Sequence, residues 1–304
     1  MGDFSTGSAI GAGFRLLARE PLAFLAWTLA YLLIGVLPQI GVFALILPEW
    51  LRLTQEIASS ATVNSPLPPT EMFRAQAQMM QLQPISWLAG IASQALVLSA
   101  IYRAVLFPED RRFFYLRLSM REVWLGLVML VLFVMIGMLL FVIMLPLAVI
   151  GGIVSAFAHD APAVGLLIVP VVLAAIAVVV WVLLRLSLAT PMSFAQRGFR
   201  LYESWNLTRG HAAKMFLVAL ALAIVLWLIE IVVMGVVFAL IGGFAGLGHL
   251  AEWFQHPQFD MHRLMPWAIV GGGALALVST VVFTLFAAAW GEIYREISAE
   301  PVVA

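Results

Sequence analysis

The sequence predicts an all-α membrane protein, a polytopic bundle of six transmembrane helices with added amphipathic helices at the cytoplasmic interface. Three observations lead to this prediction. Hydrophobic residues make up 63% of the chain and charged residues only 11%, whereas soluble domains average ~25% charged residues. Six apolar stretches each reach the ~20 residues that a helix needs to cross a bilayer core. Most of the basic residues fall on one side of these stretches.

The six stretches define the domain organisation. Several contain Gly or Pro, which spanning helices tolerate because neighbouring groups satisfy the freed backbone atoms. We expect one integral membrane domain over residues 1–304, made of an interfacial helix (1–20), a first helix pair (22–107), a second pair (108–189), and a second interfacial helix with the third pair (190–304). The predicted spans are Leu22–Leu47, Ile85–Phe107, Trp124–Ile150, Ala163–Ala189, Met215–Phe244 and Pro266–Trp290.

The distribution of basic residues predicts the orientation, because cytoplasmic loops carry an excess of Arg and Lys. This excess places both termini in the cytoplasm, and the preference for Arg over Lys favours a bacterial inner membrane. The opposite side holds only Arg52, Arg74 and Arg263. The basic side holds Arg15, Arg19, Arg103, Arg111, Arg112, Arg117, Arg121, Arg185, Arg197, Arg200, Arg209, Lys214 and Arg295.

The segment Ser5–Arg19 has the pattern of an amphipathic helix that lies in the membrane interface with its apolar side down. Three large apolar residues recur at helical spacing, and two arginines lie on the remainder of the helix. The predicted apolar face consists of Ile10, Phe14 and Leu17, and the basic face consists of Arg15 and Arg19.

A second amphipathic segment, Pro191–Arg209, precedes the fifth span, and Gly210 is a suitable residue to end its helix. Its predicted apolar face consists of Phe194, Leu201, Trp205 and Thr208. We expect both amphipathic segments to lie along the inner leaflet and to bind anionic lipid. The alternative is that the arginines set only the orientation. The candidate lipid contacts are Arg15, Arg19, Arg103, Arg185, Arg197, Arg200 and Arg209.

Two local patterns refine this picture. Ser119-x-x-Glu122 has the spacing of a capping box and predicts the start of the third span. The four residues Gly13–Leu16 recur as Gly198–Leu201, which suggests a three-fold repeat of helix pairs. The alternative is that apolar helices that end in aromatic residues and Arg resemble one another without a repeat.

The stretch from Arg185 to Phe216 resembles the membrane domain that precedes the catalytic domain in some bacterial glycerophosphodiester phosphodiesterases, and related stand-alone six-span proteins. The resemblance lies in Arg185–Leu188 with Pro191, and in Ser204–Gly210. In that family the phosphodiesterase chemistry belongs to a separate soluble domain. Only fourteen residues follow Trp290 here, so the resemblance implies a membrane module without this enzymatic activity.

Glu230 is the one acidic residue well inside a predicted span. A charge at such a depth is costly to insert and often functional. Counting ~1.5 Å per residue from the span edges, Gln39 and Gln94 lie at a similar depth. The three side chains could line a path for a proton, an ion or a lipid headgroup. The alternative is interhelical hydrogen bonding that stabilises the bundle.

The predicted outer loop between the last two spans contains a weak candidate metal site. His249, Glu252 and His256 share a helical face at a spacing that can bind zinc. The alternative is an ordinary polar loop, and we expect no cofactor. No phosphate loop or nucleophile with an ordered base is present.

Two function classes follow, and membrane lipids are the expected partners, with no role for nucleic acid at a net charge of zero. The favoured class is a non-enzymatic membrane protein that binds, organises or moves lipid or a small amphiphile. The other is an ion- or proton-coupled transporter, or a membrane-embedded enzyme, that uses Glu230.

Overall fold

The computed structural model describes residues 4–63, 69–157, 162–245 and 261–299. All regular secondary structure in these residues is helical, and six helices are long and apolar enough to cross a membrane. The predicted fold class, an all-α polytopic membrane bundle, is therefore confirmed. The spans are Pro21–Trp50, Met80–Leu106, Arg112–Val149, Val169–Gln196, Ala212–Val236 and Ala268–Ser298.

The helices extend beyond the apolar stretches that predicted them. Their bounds are α1 Thr6–Arg19, α2 Pro21–Tyr31, a π-helical turn Leu32–Val36, α3 Leu37–Val63, α4 Pro69–Leu106, a 3₁₀ turn Arg112–Tyr115, α5 Met120–Phe157, α6 Pro162–Leu186, α7 Ala189–Gln196, α8 Leu201–Leu207, α9 Ala212–Ala245 and α10 Met261–Ala299. α2, the π-helical turn and α3 follow one another without a break and form the first span.

The helices of the first two spans, α3 and α4, extend well beyond the apolar stretches. α3 continues through Pro48 to Val63, and α4 begins at Pro69. A proline fits the first turn of a helix because the N–H that it lacks would have no partner there. Most of the stretch between the first two spans, from Trp50 to Met80, is therefore helical.

The thirteen residues of the predicted basic side lie at one end of the spans. This end also contains α1, the 3₁₀ turn, α7 and α8. We call this the arginine-rich end. α4 lies at the centre of the bundle, since 39% of the window that marks its span is buried, compared with 6% for α5. The largest fully buried side chains belong to this end and include Trp27, Tyr102 and Phe194.

α1 is a helix as predicted, and Ser5 caps its N-terminus, but it packs on protein through a different face. The buried residues are Ala9, Ala12, Gly13 and Leu16, while Phe14 is exposed. A Cβ atom at Gly13 would lie 2.6 Å from Cα of Leu285 on α10. The small residues allow the two backbones to approach closely. Phe14, on the side predicted to face the membrane, takes no part in this contact, and the membrane-facing role of Ile10, Phe14 and Leu17 stays a prediction.

The segment 191–209 is not one continuous amphipathic helix. α7 ends where Arg197 adopts a left-handed backbone conformation (φ 55°, ψ 44°), and α8 starts at Leu201. Most of α7 is buried against the other helices, including Pro191 and Phe194. Three residues of the predicted apolar face are buried: Phe194, Leu201 and Thr208. However, α7 packs within the bundle instead of lying on its surface. Gly210, with φ 85°, follows the end of α8 as expected.

The repeated four residues do not occupy equivalent structures. Gly13–Leu16 lies within α1, whereas Gly198–Leu201 covers the connection between α7 and the first residue of α8. This match therefore gives no structural support to a three-fold repeat, although each copy of the four residues precedes a span.

Candidate functional site

A buried ion pair connects α4 to the start of α5. Arg103 is 2% exposed and donates a hydrogen bond to the carboxylate of Glu122, which is 6% exposed, and another to the backbone carbonyl of Tyr115. Glu122 also accepts a hydrogen bond from the backbone N–H of Ser119 at 2.7 Å. The predicted capping box is thus confirmed. Arg103 is enclosed by protein partners, so its predicted role as a lipid contact does not fit the structure.

The aromatic ring of Phe194 lies between two arginines in the middle of the arginine-rich end. The guanidinium carbons of Arg103 and Arg121 are each 5.6 Å from the centre of this ring. Arg121 is also 4.5 Å from the ring centre of Phe107. Its buried Nε has no hydrogen-bond partner within the part of the chain that the structure describes. Cation–π contacts with Phe107 and Phe194 therefore help to hold Arg121 in place.

Arg185, at the end of α6, lies beside a pair of tryptophans that contact each other. Its guanidinium carbon lies 5.6 Å from the ring centre of Trp181 and 5.8 Å from that of Trp205. The two indoles meet edge to face, with their centres 5.0 Å apart. Nε and Nη1 of Arg185 are buried and, among the described residues, have no hydrogen-bond partner. We call Arg185, Trp181 and Trp205 the arginine clamp.

Side chains of α8 build the other wall of the clamp. Ser204 Oγ donates a hydrogen bond to the backbone carbonyl of Arg185 at 3.0 Å, and Thr208 Oγ1 lies 3.4 Å from the same oxygen. The last carbonyls of a helix need such external donors. Two hydroxyl groups one helical turn apart therefore fix α8 against the end of α6. The two parts of the stretch Arg185–Gly210 that the sequence singled out are in direct contact.

The clamp lies at the outer rim of the bundle. Trp181 is 47% exposed, and the neighbouring Leu183 is also exposed. In a membrane-spanning helix, an exposed apolar surface contacts lipid, and tryptophan is enriched where hydrocarbon meets the headgroups. Arg185 itself is half-buried, and its two unpartnered nitrogens lie just behind the edge of the lipid-facing surface.

The other predicted arginines have varied surroundings. Nη2 of Arg15 donates a hydrogen bond to the carbonyl of Ser8 at 2.8 Å, and Arg19 lines a small cavity. Arg200 pairs with Glu203 at 2.5 Å, and this hydrogen bond lowers the pKa of the Glu203 carboxyl. Arg197 and Arg209 are exposed. Arg200 is therefore already neutralised, while these other arginines have no carboxylate partner among the described residues.

The predicted intramembrane polar cluster is not assembled around Glu230. Gln39 lines a groove of about 680 Å³ between α3, α4 and α10, together with Gln83 and Ser86. Gln94 is half-buried on α4, and Glu230 is exposed on α9. α9 packs on α1, α6 and α10 and contributes no residue to the wall of that groove.

The candidate metal site of His249, Glu252 and His256 lies outside the described residues. Within the ranges that the structure does describe, no group of three His, Cys, Asp or Glu side chains could hold a metal ion.

Two parts of the arginine-rich end were missed from sequence. Trp181 lies four residues before Arg185, a spacing that places both on one face of α6, and this signal could have identified the pair. The stacking of Arg121 on Phe107 and Phe194 depends on three separate segments, so no local pattern indicated it.

No protein-family model matches this chain, and comparisons with curated proteins and with solved structures found no match. The resemblance to the phosphodiesterase-associated membrane domain therefore stays a prediction.

Proposed function

We propose that this protein is a non-enzymatic, multi-span membrane protein that binds anionic lipid, or a small anionic amphiphile, at its arginine-rich end. The observation that carries the proposal is the arginine clamp. Arg185 has two buried N–H-bearing nitrogens without a partner in the described chain, at a lipid-facing rim. A lipid phosphate is an acceptor that the membrane supplies at this depth.

The physical argument rests on the cost of an unpaired donor. A buried polar group that makes no hydrogen bond costs about 1–3 kcal/mol, and more when it is charged. The guanidinium of arginine has a rigid fork of donors that matches a phosphate group. The two indoles hold the fork in one orientation by cation–π contacts. A phosphate that binds here gains a preorganised partner, and Arg185 gains an acceptor.

The runner-up function, ion- or proton-coupled transport or catalysis through Glu230, lacks comparable support. A transport path needs several polar groups at successive depths. In the described residues Glu230 makes no hydrogen bond or ion pair, and it is exposed on α9. The geometry of the arginine clamp supports lipid binding, and Glu230 has no comparable surroundings among the described residues.

The direct test removes the fork of Arg185 and compares lipid that co-purifies with the protein. In Arg185→Gln we expect the retained anionic lipid to fall, with zwitterionic lipid unchanged, as measured by mass spectrometry of the purified protein. Arg112→Gln is the matched control, because it removes one exposed charge from the same end. Equal retention in wild type and Arg185→Gln would refute the proposal. Arg185→Lys keeps the charge but not the fork of donors. It should retain an amount of anionic lipid between those of wild type and Arg185→Gln.

We also propose that the arginine-rich end faces the cytoplasm of a bacterial inner membrane, with both termini inside. The asymmetry of Arg and Lys supports this orientation. Reporter fusions after Ala304 and between Val63 and Pro69 test it. The fusion after Ala304 should be active with a reporter that works in the cytoplasm. The fusion between Val63 and Pro69 should be active with a reporter that works outside the cell membrane. The reverse result would refute the orientation.

A further inference from the structure

A small cavity of about 160 Å³ opens at the arginine-rich end, at a distance in sequence from the arginine clamp. Its walls come from α1, the end of α4, the residues that follow α4 and the last turns of α10. Six charged side chains line it: Arg15, Arg19, Glu20, Arg111, Glu292 and Arg295. Four positive charges against two negative charges leave a surplus of two.

The two carboxylates already have partners. Glu20 Oε1 lies 2.5 Å from Nη2 of Arg111, and Glu292 Oε1 lies 2.5 Å from Nη2 of Arg295. Tyr115 adds its hydroxyl to Glu20 at 3.4 Å. The surplus therefore belongs to the arginines that these pairs do not use, Arg15 and Arg19.

Arg15 and Arg19 are both on α1, four residues apart, so they share a face of the helix. Like charges at this spacing repel each other. Arg15 uses one nitrogen on the carbonyl of Ser8. Arg19 has neither a hydrogen bond nor an ion pair within the described ranges. Both arginines thus line one cavity, and neither is paired with a carboxylate within the described ranges, which is an arrangement that an anion with two charges would stabilise.

The size and charge of the cavity restrict its ligand. Pockets that enclose drug-sized ligands measure ~300–1,000 Å³, so this cavity admits one small group and not a whole lipid. A phosphate monoester carries about −1.5 to −2 charge at pH 7 and offers three acceptor oxygens. That charge matches the surplus of the walls, whereas a carboxylate matches half of it. Leu16 and Val105 give the cavity an apolar side for the carbon that carries the phosphate.

We propose that this cavity binds a phosphate monoester group through Arg15 and Arg19. The group belongs either to a small phosphorylated solute or to a lipid whose headgroup is a phosphate monoester. The inference does not depend on the arginine clamp, because the two sites share no residue. An experiment can therefore detect loss of binding at one site while the other site still binds its ligand.

The test uses the full chain in nanodiscs made of phosphatidylcholine. Glycerol 3-phosphate is titrated from the aqueous side, and phosphatidic acid is included in the bilayer of a second preparation, with binding measured by calorimetry and by native mass spectrometry. Saturable binding of glycerol 3-phosphate supports the site with a soluble ligand. Binding of phosphatidic acid alone supports the site with a lipid ligand. Failure of both probes to bind overturns the proposal.

Variants show whether the cavity is responsible. The double variant Arg15→Gln/Arg19→Gln should weaken binding by about tenfold or more, because each charge-assisted hydrogen bond contributes substantially. The control Arg112→Gln/Arg117→Gln removes two charges from the same end without touching the cavity and should bind like wild type. If both double variants weakened binding equally, the cause would be the overall positive potential of this end and the proposal would be overturned. Unchanged binding in Arg15→Gln/Arg19→Gln would also overturn it.

A measurement on the wild type avoids dependence on folding of the variants. Phenylglyoxal modifies accessible arginines, and peptide mass spectrometry locates the modified positions. The bound probe should protect Arg15 and Arg19 and leave Arg112 reactive. Modification of Arg15 and Arg19 at the same rate with and without the probe would contradict the site.

Discussion

The carboxylate of Glu122 meets the guanidinium of Arg103 inside the bundle, nineteen residues apart in the chain and almost fully shielded from solvent. The same carboxylate caps the start of α5 through Ser119. One glutamate therefore serves as a helix cap and as the counter-charge of a buried arginine, and it links the second span to the third.

Glu122→Gln should strongly destabilise the protein, because it leaves buried Arg103 with only the longer contact to Asp110, whose Oδ2 lies 3.9 Å from its Nε. Breaking a buried pair by removing one partner costs about 3–5 kcal/mol. Glu203→Gln breaks the exposed pair with Arg200 and should destabilise the protein much less, because solvent screens this pair. Denaturant unfolding in detergent measures both. A loss in Glu122→Gln no larger than in Glu203→Gln would contradict the importance of the buried pair.

Gly13→Ala should loosen the contact between α1 and α10, because the new Cβ would lie 2.6 Å from Cα of Leu285. Overpacking of this kind costs about 1–3 kcal/mol. Faster hydrogen exchange of the α1 amides is the expected readout. In Gly7→Ala, on the same helix, the nearest atom to the new Cβ is Ser5 Oγ at 3.9 Å, so this control should be neutral or slightly stabilising. Equal exchange in the two variants would argue against the close crossing.

Glu230→Gln separates the two function classes. Since Glu230 makes no described hydrogen bond or ion pair, we expect unchanged thermal stability and unchanged retention of anionic lipid. Loss of lipid retention, or loss of a proton-coupled flux measured in proteoliposomes, would instead favour the transporter or enzyme class. Arg185→Gln, which should reduce lipid retention, is the positive control in the same preparation.

Local patterns were sufficient where both partners lie on one short segment. Ser119 and Glu122 are three residues apart, and their capping box followed from sequence. The partner of Glu122 in the core, Arg103, lies on another helix, and no periodicity connects the two. The positions of the spans were predictable for the same reason, since each depends on the composition of one continuous stretch.

The docking face of α1 was not predictable from hydrophobicity. In a soluble protein the largest apolar side chains mark the buried face, but lipid is as apolar as a protein core. Helices in membranes associate through small residues that permit close approach. Phe14 can therefore stay exposed, while Ala12 and Gly13 make the contact. A search for small residues at helical spacing would have identified this face.

The attachment of α1 to α10 has a consequence for biosynthesis. Ser5 and Ser8 donate hydrogen bonds to Glu296 at 2.9 and 2.6 Å, and Gly13 contacts Leu285, so α1 packs on a helix that the ribosome makes much later. At about 5–20 residues per second, the ribosome needs roughly 15–55 s to make the residues between these contacts. During that interval the small-residue face of α1 lacks its permanent neighbour. The contact between α1 and α10 forms only after α10 has been made, which makes this period the one in which a chaperone or a wrong helix can compete for α1.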